Sequence, residues 1–412
     1  MLTLIVRRCI FGTMKYQESH PWIQFSLNVD VTDFRLWLKL GEITSKCEHL
    51  SGVPLRPEFA KRLNQVFLAK GVLATTAIEG NTLSEEQVQE YLEGTLKLPP
   101  SQEYLKQEIE NIITVCNSEI HAQIDSAENK VDLCKSLIES YNERILHKLE
   151  LNEDVVPGQL RRHSVVVGSV YRGAPAEDCD YLLERLCEWL NGPDFMPPED
   201  ELSVPFTLIK AIVAHVYLAW IHPFGEGNGR TARLVEFHIL FSSGLPLPAA
   251  LLLSDHYNKT RTKYYRELER ASKTGGDLMP FIKYAVQGFL DGLREQIEGV
   301  RAHQMTVAWE NYIHDKFREK KTSPTQKRRR DLVLELSHHD WVNVADIEEL
   351  SGKIAKLYFA AGERMLQRDL NALAKLSLIE RKHGKVRARK SLIQAFLPAR
   401  VLNNVDGKKT GA

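Results

Sequence analysis

The sequence has no excess of charge of either sign, since 54 Lys and Arg stand against 54 Asp and Glu. That balance excludes a polycation built to coat nucleic acid or an anionic membrane, and leaves such a role only to a local patch. Cysteine is scarce. Cys9, Cys47, Cys116, Cys134, Cys179 and Cys187 are far apart and include no CxxC pair, so neither a zinc knuckle nor a disulfide scaffold is expected, and a reducing cytoplasm fits. A secretory start is lacking as well: in MLTLIVRRCIF the apolar run precedes the arginines and is far too short to span a bilayer. A buried first strand is the expectation there, and no membrane partner is expected. No internal repeat is evident.

What is present is a chain of 412 residues, 43% hydrophobic and 26% charged. This is the balance of a soluble globular protein, and the length calls for two or three domains. Residues 1–150 read as an N-terminal helical region. In it Phe59, Leu63, Val66 and Phe67 recur at helical spacing, and Ser84 precedes an acidic first turn. Residues 151–298 read as a second helical domain, interrupted near its start by VVPGQLRRHSVVVGSV, where a Pro-Gly turn and β-branched residues predict a short hairpin. Helices are expected over 180–190, 205–220, 231–241, 258–271 and 278–297. A polar helical linker over 299–325, a small domain over 326–400 and a flexible tail over 401–412 complete the chain.

The segment His222 to Arg233, HPFGEGNGRTAR, concentrates chemistry. Gly225, Gly227 and Gly229 allow tight turning and bring N–H groups close to an anion, and the helix that follows points its positive end at the same place. Arg230 and Arg233 share one helix face and can reach one polyphosphate. Taken singly, each residue has a plain alternative: His222 as the end of a core helix, Glu226 as a solvated loop charge, the arginines as a solvated face. Their convergence within one short segment favours a site. A histidine of ordinary pKa, about 6.5, is largely neutral near pH 7, as a general base must be.

This segment resembles the signature of the Fic family, H-P-F-x-D/E-G-N-G-R-x-x-R, and His222, Pro223, Phe224, Glu226, Gly227, Asn228, Gly229, Arg230 and Arg233 satisfy every fixed position. The resemblance implies a mainly α fold, a Fic-type helical catalytic domain with a short β-hairpin flap. It also implies transfer of AMP from ATP to a Ser, Thr or Tyr hydroxyl of a protein, with release of pyrophosphate. In that scheme His222 takes the hydroxyl proton, Glu226 holds Mg2+, and Gly227, Asn228, Gly229, Arg230 and Arg233 bind the phosphates. Phe224 is a core anchor. His163, Ser164, Val165, Val166 and Val167 form the flap that receives a target protein, or a second copy of the chain, as an added strand; a plain core hairpin fits the same spacing. Tyr264 and Tyr265 lie on the nucleoside side, where Ser272 replaces an asparagine common in the family.

Upstream, Thr75, Glu79 and Gly80 in TTAIEGN match the family's inhibitory pattern S/T-x-x-x-E-G/N. The resemblance implies that Glu79 pairs with Arg233 and blocks productive placement of the γ phosphate. A glutamate before glycine is also a common helix end.

The last domain is locally basic, with 16 Lys and Arg against 9 Asp and Glu between Gln326 and Arg400. Its helix, helix, helix, hairpin pattern resembles a winged helix-turn-helix domain, with Glu363 to Lys375 as recognition helix and Gly384 in the wing turn. Arg364, Gln367 and Arg368 are candidate DNA contacts, and docking of a protein is the alternative. The leading expectation is therefore a restrained, ATP- and Mg2+-dependent adenylyltransferase. Removal of AMP from a modified protein, and nucleotide sensing by a DNA-binding regulator, are the rivals.

Overall fold

The structure is a computed structural model that describes residues 14–29, 32–125, 132–167, 171–318, 323–359 and 363–394. The expected first strand and the tail from 401 lie outside these residues. Two compact units divide the chain, residues 1–297 and 298–412.

The first unit is helical and shares one hydrophobic core, which takes residues from both sides of position 150. At its centre lies the helix Ser203–Ile221, whose sequence is apolar nearly all round and which is buried accordingly. It is apolar enough to cross a membrane by composition, but most of it is packed inside this unit. The helix Asn228–Ser242 packs along it, and the helices Lys135–Ile145 and Pro57–Ala77 pack on Asn228–Ser242. The helix Glu85–Leu92 begins with the anticipated Ser84 cap, completed by Gln87: Ser84 Oγ accepts from the Gln87 N–H at 3.3 Å, and Gln87 Oε1 accepts from the Ser84 N–H at 2.9 Å.

Three boundaries differ from the sequence expectation. The helix after the glycine loop starts at Asn228, not Thr231, because Gly227, at φ 77°, already turns the chain into it. The helix expected over 258–271 is two, Leu252–Lys259 and Arg261–Lys273, broken at Thr260, whose backbone leaves helical geometry while its hydroxyl bonds the His256 carbonyl at 2.7 Å. The helix expected over 278–297 and the helical linker expected from 299 are one, since Met279–Arg318 runs unbroken through Gly299; one interior glycine costs only about 1 kcal/mol. The hairpin is present as strands Val166–Val167 and Tyr171–Arg172, paired antiparallel.

The second unit packs Pro324–Leu336, Gly352–Phe359 and Glu363–Lys375 with a three-stranded antiparallel sheet. Its strands are Val342–Asn343, Ile379–Lys382 and Lys385–Ala388, the last of these in the middle. Leu366, Leu370 and Leu373 face the core of this unit, as their spacing predicts. A fully buried carboxylate, Asp369, ties the helices together, accepting from Arg328 Nε and Arg329 Nε at 2.7 Å each and from the Tyr358 hydroxyl at 3.0 Å.

Candidate active site

The central helix ends at Ile221, and His222 caps it in the left-handed conformation, φ 51° and ψ 59°. Such backbone is uncommon for a residue with a side chain. It ends the helix and leads the chain into the following loop. Nδ1 is buried without a hydrogen-bond partner among the described residues. Burial pushes the imidazole pKa down to about 4; Arg161 adds to this and Glu79 opposes it. The ring is therefore neutral at pH 7.

Phe224 is buried in the core. The loop is closed by Asn228, whose Oδ1 accepts from the Phe224 N–H at 2.9 Å and whose Nδ2 donates to the Phe224 carbonyl at 2.8 Å. The Asn228 side chain is thus engaged in loop closure, which leaves the backbone amides at the helix start to face an anion. Glu226 projects from the loop, its Oε1 accepting from Asn152 Nδ2 at 2.5 Å and from the Asn152 N–H at 3.3 Å. Asn142 steadies the turn by donating to the Glu226 carbonyl at 2.9 Å.

The two arginines differ. Arg233 is buried, and its donors are largely taken: Nε donates to Thr75 Oγ1 at 2.8 Å, and Nη2 to the Thr75 carbonyl at 3.0 Å and Glu79 Oε1 at 2.5 Å. Loss of solvent works against both charges, with Arg233 buried and Glu79 partly exposed, and each partner's opposite charge overcomes it, so Glu79 titrates below and Arg233 above its ordinary value. Arg230 is held by one edge only, Nη1 donating to Glu108 Oε1 at 2.9 Å, while its Nε is buried without a partner among the described residues. Glu108 in turn accepts from Asn81 Nδ2 at 2.8 Å.

Glu79 reaches this position from the end of the helix Pro57–Ala77. Thr75, one turn earlier, faces the same way. Gly80 follows at φ 106°, a value open only to glycine, and the Arg261 guanidinium holds the Ile78 carbonyl. The Glu79 carboxylate lies so close over Gly229 that a Cβ there would overlap it.

Behind Arg233 lies a buried cluster. Glu236 accepts from the Tyr257 hydroxyl at 2.8 Å, and burial pushes its pKa up to about 8. His215, bonded to the Tyr264 hydroxyl at 3.0 Å, is pushed down to about 3, also by burial. Burial disfavours the charged form of both, and Glu79 is the carboxylate that pairs with Arg233. Tyr264 therefore belongs to the core with its hydroxyl spent on His215, and Tyr265 is the exposed member of the pair. Ser272 is buried and bonds the Glu269 carbonyl.

In the hairpin segment, the Val165 carbonyl accepts from the Gly173 N–H at 3.1 Å, Ser164 and Val166 are exposed, and His163 Nδ1 lies 3.2 Å from Asp154 Oδ2. Val167 pairs with Tyr171 through the backbone. Arg364 and Arg368 are exposed, and Gln367 Oε1 accepts from Arg381 Nη2 at 3.1 Å; these lie in the second unit.

Residues 131–240 match the Fic/DOC family. The chain carries a Fic-family domain. It is homologous to proteins named protein adenylyltransferase: Fic-1 of Caenorhabditis briggsae, 32% identical over 220 residues, covering 52% of this chain and 38% of that protein, and Fic of Drosophila melanogaster, 28% identical over 246 residues, covering 60% and 45%. The chain thus spans less than half the length of these relatives. Among solved structures, a Fic family protein from Desulfovibrio desulfuricans G20 aligns with a TM-score of 0.53 at 20% identity, covering 88% of this chain and 97% of that one. Residues 134–508 of Caenorhabditis elegans Fic-1 align with a TM-score of 0.53 at 23% identity, covering 66% and 74%. These likenesses establish a mainly helical Fic-like fold.

The site of the Fic domain suits a magnesium-nucleotide. Among the described residues no three His, Cys, Asp or Glu gather as a cage. A single projecting carboxylate, Glu226, is what Mg2+ requires when phosphates and water supply its other ligands. The buried Arg230 Nε, without a partner among the described residues, and the N-terminus of Asn228–Ser242 would suit an anion.

Residues that sequence reasoning missed are Asn81, Glu108, Asn142, Asn152, Arg161 and Arg261. Glu108, Asn142, Asn152 and Arg261 are scattered and belong to no motif. Asn81, directly after the Glu79-Gly80 pair, and Arg161, two residues before His163 in the hairpin segment, carried a positional hint.

Proposed function

We propose that this chain is a protein adenylyltransferase held in a restrained state by Glu79. The observation that carries the reading is the engagement of Arg233 by Glu79 and Thr75, beside a neutral His222 and an incompletely satisfied Arg230. His222 takes the proton of a Ser, Thr or Tyr hydroxyl as its oxygen bonds the α phosphorus of ATP and the bond to pyrophosphate breaks. Gly227, Gly229 and the helix start offer backbone N–H groups to the phosphates, with Arg230. Mg2+, held by Glu226, would neutralise phosphate charge. The restraint is a competition, because Arg233 cannot serve both Glu79 and a γ phosphate with the same donors.

The flap, with Val166 exposed and a short free edge, suits pairing with an extended segment of a target protein or of a second copy. Incubating the full chain with labelled ATP and Mg2+ tests the activity. Label retained on protein is expected, and its absence in both the wild type and a Glu79→Gly variant refutes transfer. The position of Glu79 over Gly229 also suits water activation, so release of AMP from a modified protein is the second reading.

The last domain is a winged helix in this proposal. Arg364, Arg368 and Lys375 are exposed on Glu363–Lys375, whose described interior holds a single acid, the buried Asp369. Arg381 links this face to the hairpin through Asn371 and Gln367, and Lys382 and Lys385 extend it. That face suits duplex DNA.

A further inference from the structure

One buried cation, Arg161, is used by nothing in the mechanism above. It is 5% exposed, pairs with no carboxylate among the described residues, and its three nitrogens donate to backbone carbonyls. Nε donates to the His222 carbonyl at 2.7 Å, Nη1 to the His163 carbonyl at 2.7 Å, and Nη2 to the carbonyls of Ala174 and, at 3.4 Å, Ile221. Its own N–H donates to the Pro223 carbonyl at 3.0 Å.

Those acceptors have meaning by position. Ile221 and His222 supply carbonyls at the end of the central helix, where acceptors lack partners inside the helix and where a cation is favoured by the helix dipole. His163 lies on the strand side entering the flap, and Ala174 on the side leaving it. One planar fork therefore fastens three segments: the turn that presents the imidazole and both roots of the hairpin. The packing leaves no slack, since a Cβ on Gly173 would lie 2.9 Å from His222 Cβ and 3.1 Å from Arg161 Nη2. His222 holds a left-handed backbone that its own side chain disfavours, and such a conformation persists only where its surroundings over-determine it.

The geometry points to Arg161 as the positioning residue of the reaction, fixing His222 in its left-handed turn and locking the flap roots to it, so that base and docked target share one frame. Lysine cannot replace it, because three donors on a point charge do not span carbonyls on three segments. Arg161 also acts at a distance on the imidazole. The charged groups facing His222 are Arg161, which disfavours its protonation, and Glu79, which favours it.

This inference rests on the transferase reading, and two measurements on the full-length protein separate the two. The first is the pH titration of the His222 imidazole by NMR, in wild type and in Arg161→Met and Arg161→Lys. The second is AMP incorporation against pH and ATP concentration for the same proteins. Arg161→Met is expected to lower kcat at least tenfold with KM for ATP changed less than threefold, and to move the imidazole titration upward. Arg161→Lys should retain the low titration and recover only part of kcat. A wild type that transfers no AMP, with the titration shift still present, would overturn the function and leave the placement of Arg161 standing. Folded variants with unchanged kcat and unchanged titration would overturn the positioning role. If Arg161→Met fails to fold, Arg161→Lys decides: full wild-type kcat in that variant overturns the proposal.

Discussion

At the level of single residues, the site divides into groups visible in a motif and groups that only the fold assembles. His222, Glu226, Arg230 and Arg233 could be named from HPFGEGNGRTAR because loop chemistry needs those types at that spacing. Glu108 and Arg161 could not, since each looks like an ordinary surface charge in a helical or hairpin segment until tertiary packing buries it. The same burial alters a property that sequence could only set at its ordinary value. A histidine of pKa 6.5 would lose half its base form at that pH, whereas one at about 4 is available well below neutrality. The base works unprotonated, and the folded pKa is lowered. Transfer should therefore rise as pH passes upward through about 4 and be level from about pH 6, to the extent that His222 governs the rate; an acid limb centred near 6.5 would contradict the buried, neutral imidazole. His222→Ala should abolish transfer and leave ATP binding within about threefold of wild type, because the phosphate donors are backbone amides and arginines. Near-normal AMP incorporation by that variant would remove His222 from the role of base.

At the level of elements, the helix Pro57–Ala77 connects local sequence to the proposed restraint. Its apolar face buries it against the helices around the glycine loop, and its end carries Thr75 and Glu79 to Arg233. Amphipathic spacing made the helix legible, and the family pattern made Glu79 legible. The turn that aims it depends on Gly80 and on Arg261, about 180 residues away along the chain, and long-range pairs of that kind leave no local trace. Charge-assisted bonds to Glu79 are worth roughly 1.5 to 3 kcal/mol, or about tenfold to a hundredfold in rate if they form the whole barrier. The lower figure is the better expectation, because the Glu79 side chain stays 35% exposed and is screened. Glu79→Gly should accelerate AMP incorporation by that factor, and Glu79→Gly with Arg233→Ala should stay slow because the freed ligand is gone. Equal rates for wild type and Glu79→Gly at saturating ATP and Mg2+ would remove the restraint.

At the level of the whole molecule, a chain with no net charge divides its charge unevenly, and the basic surplus falls in the second unit. Composition of the entire chain hid this, and a count over 326–400 revealed it. What no count could show is which cations are already spent. Arg328 and Arg329 are tied to Asp369, and Arg387 to Glu380 and Asp340. Arg364, Arg368, Lys375, Lys382 and Lys385 have no ion pair of this kind assigned among the described residues and lie on the helix and hairpin that Arg381 joins. If these five meet phosphates, full-length protein should bind duplex DNA at low salt. Its log affinity should then fall with log salt at a slope near −0.9 per phosphate neutralised, about −4 to −5 in all. Arg364→Ala with Arg368→Ala should flatten that slope by about 2, while Arg387→Ala, which removes a cation already paired, should leave it unchanged. Fluorescence anisotropy of a labelled duplex across a salt series measures all three proteins. No binding at low salt, or an equal slope in the double variant, would make this face a protein-docking surface instead.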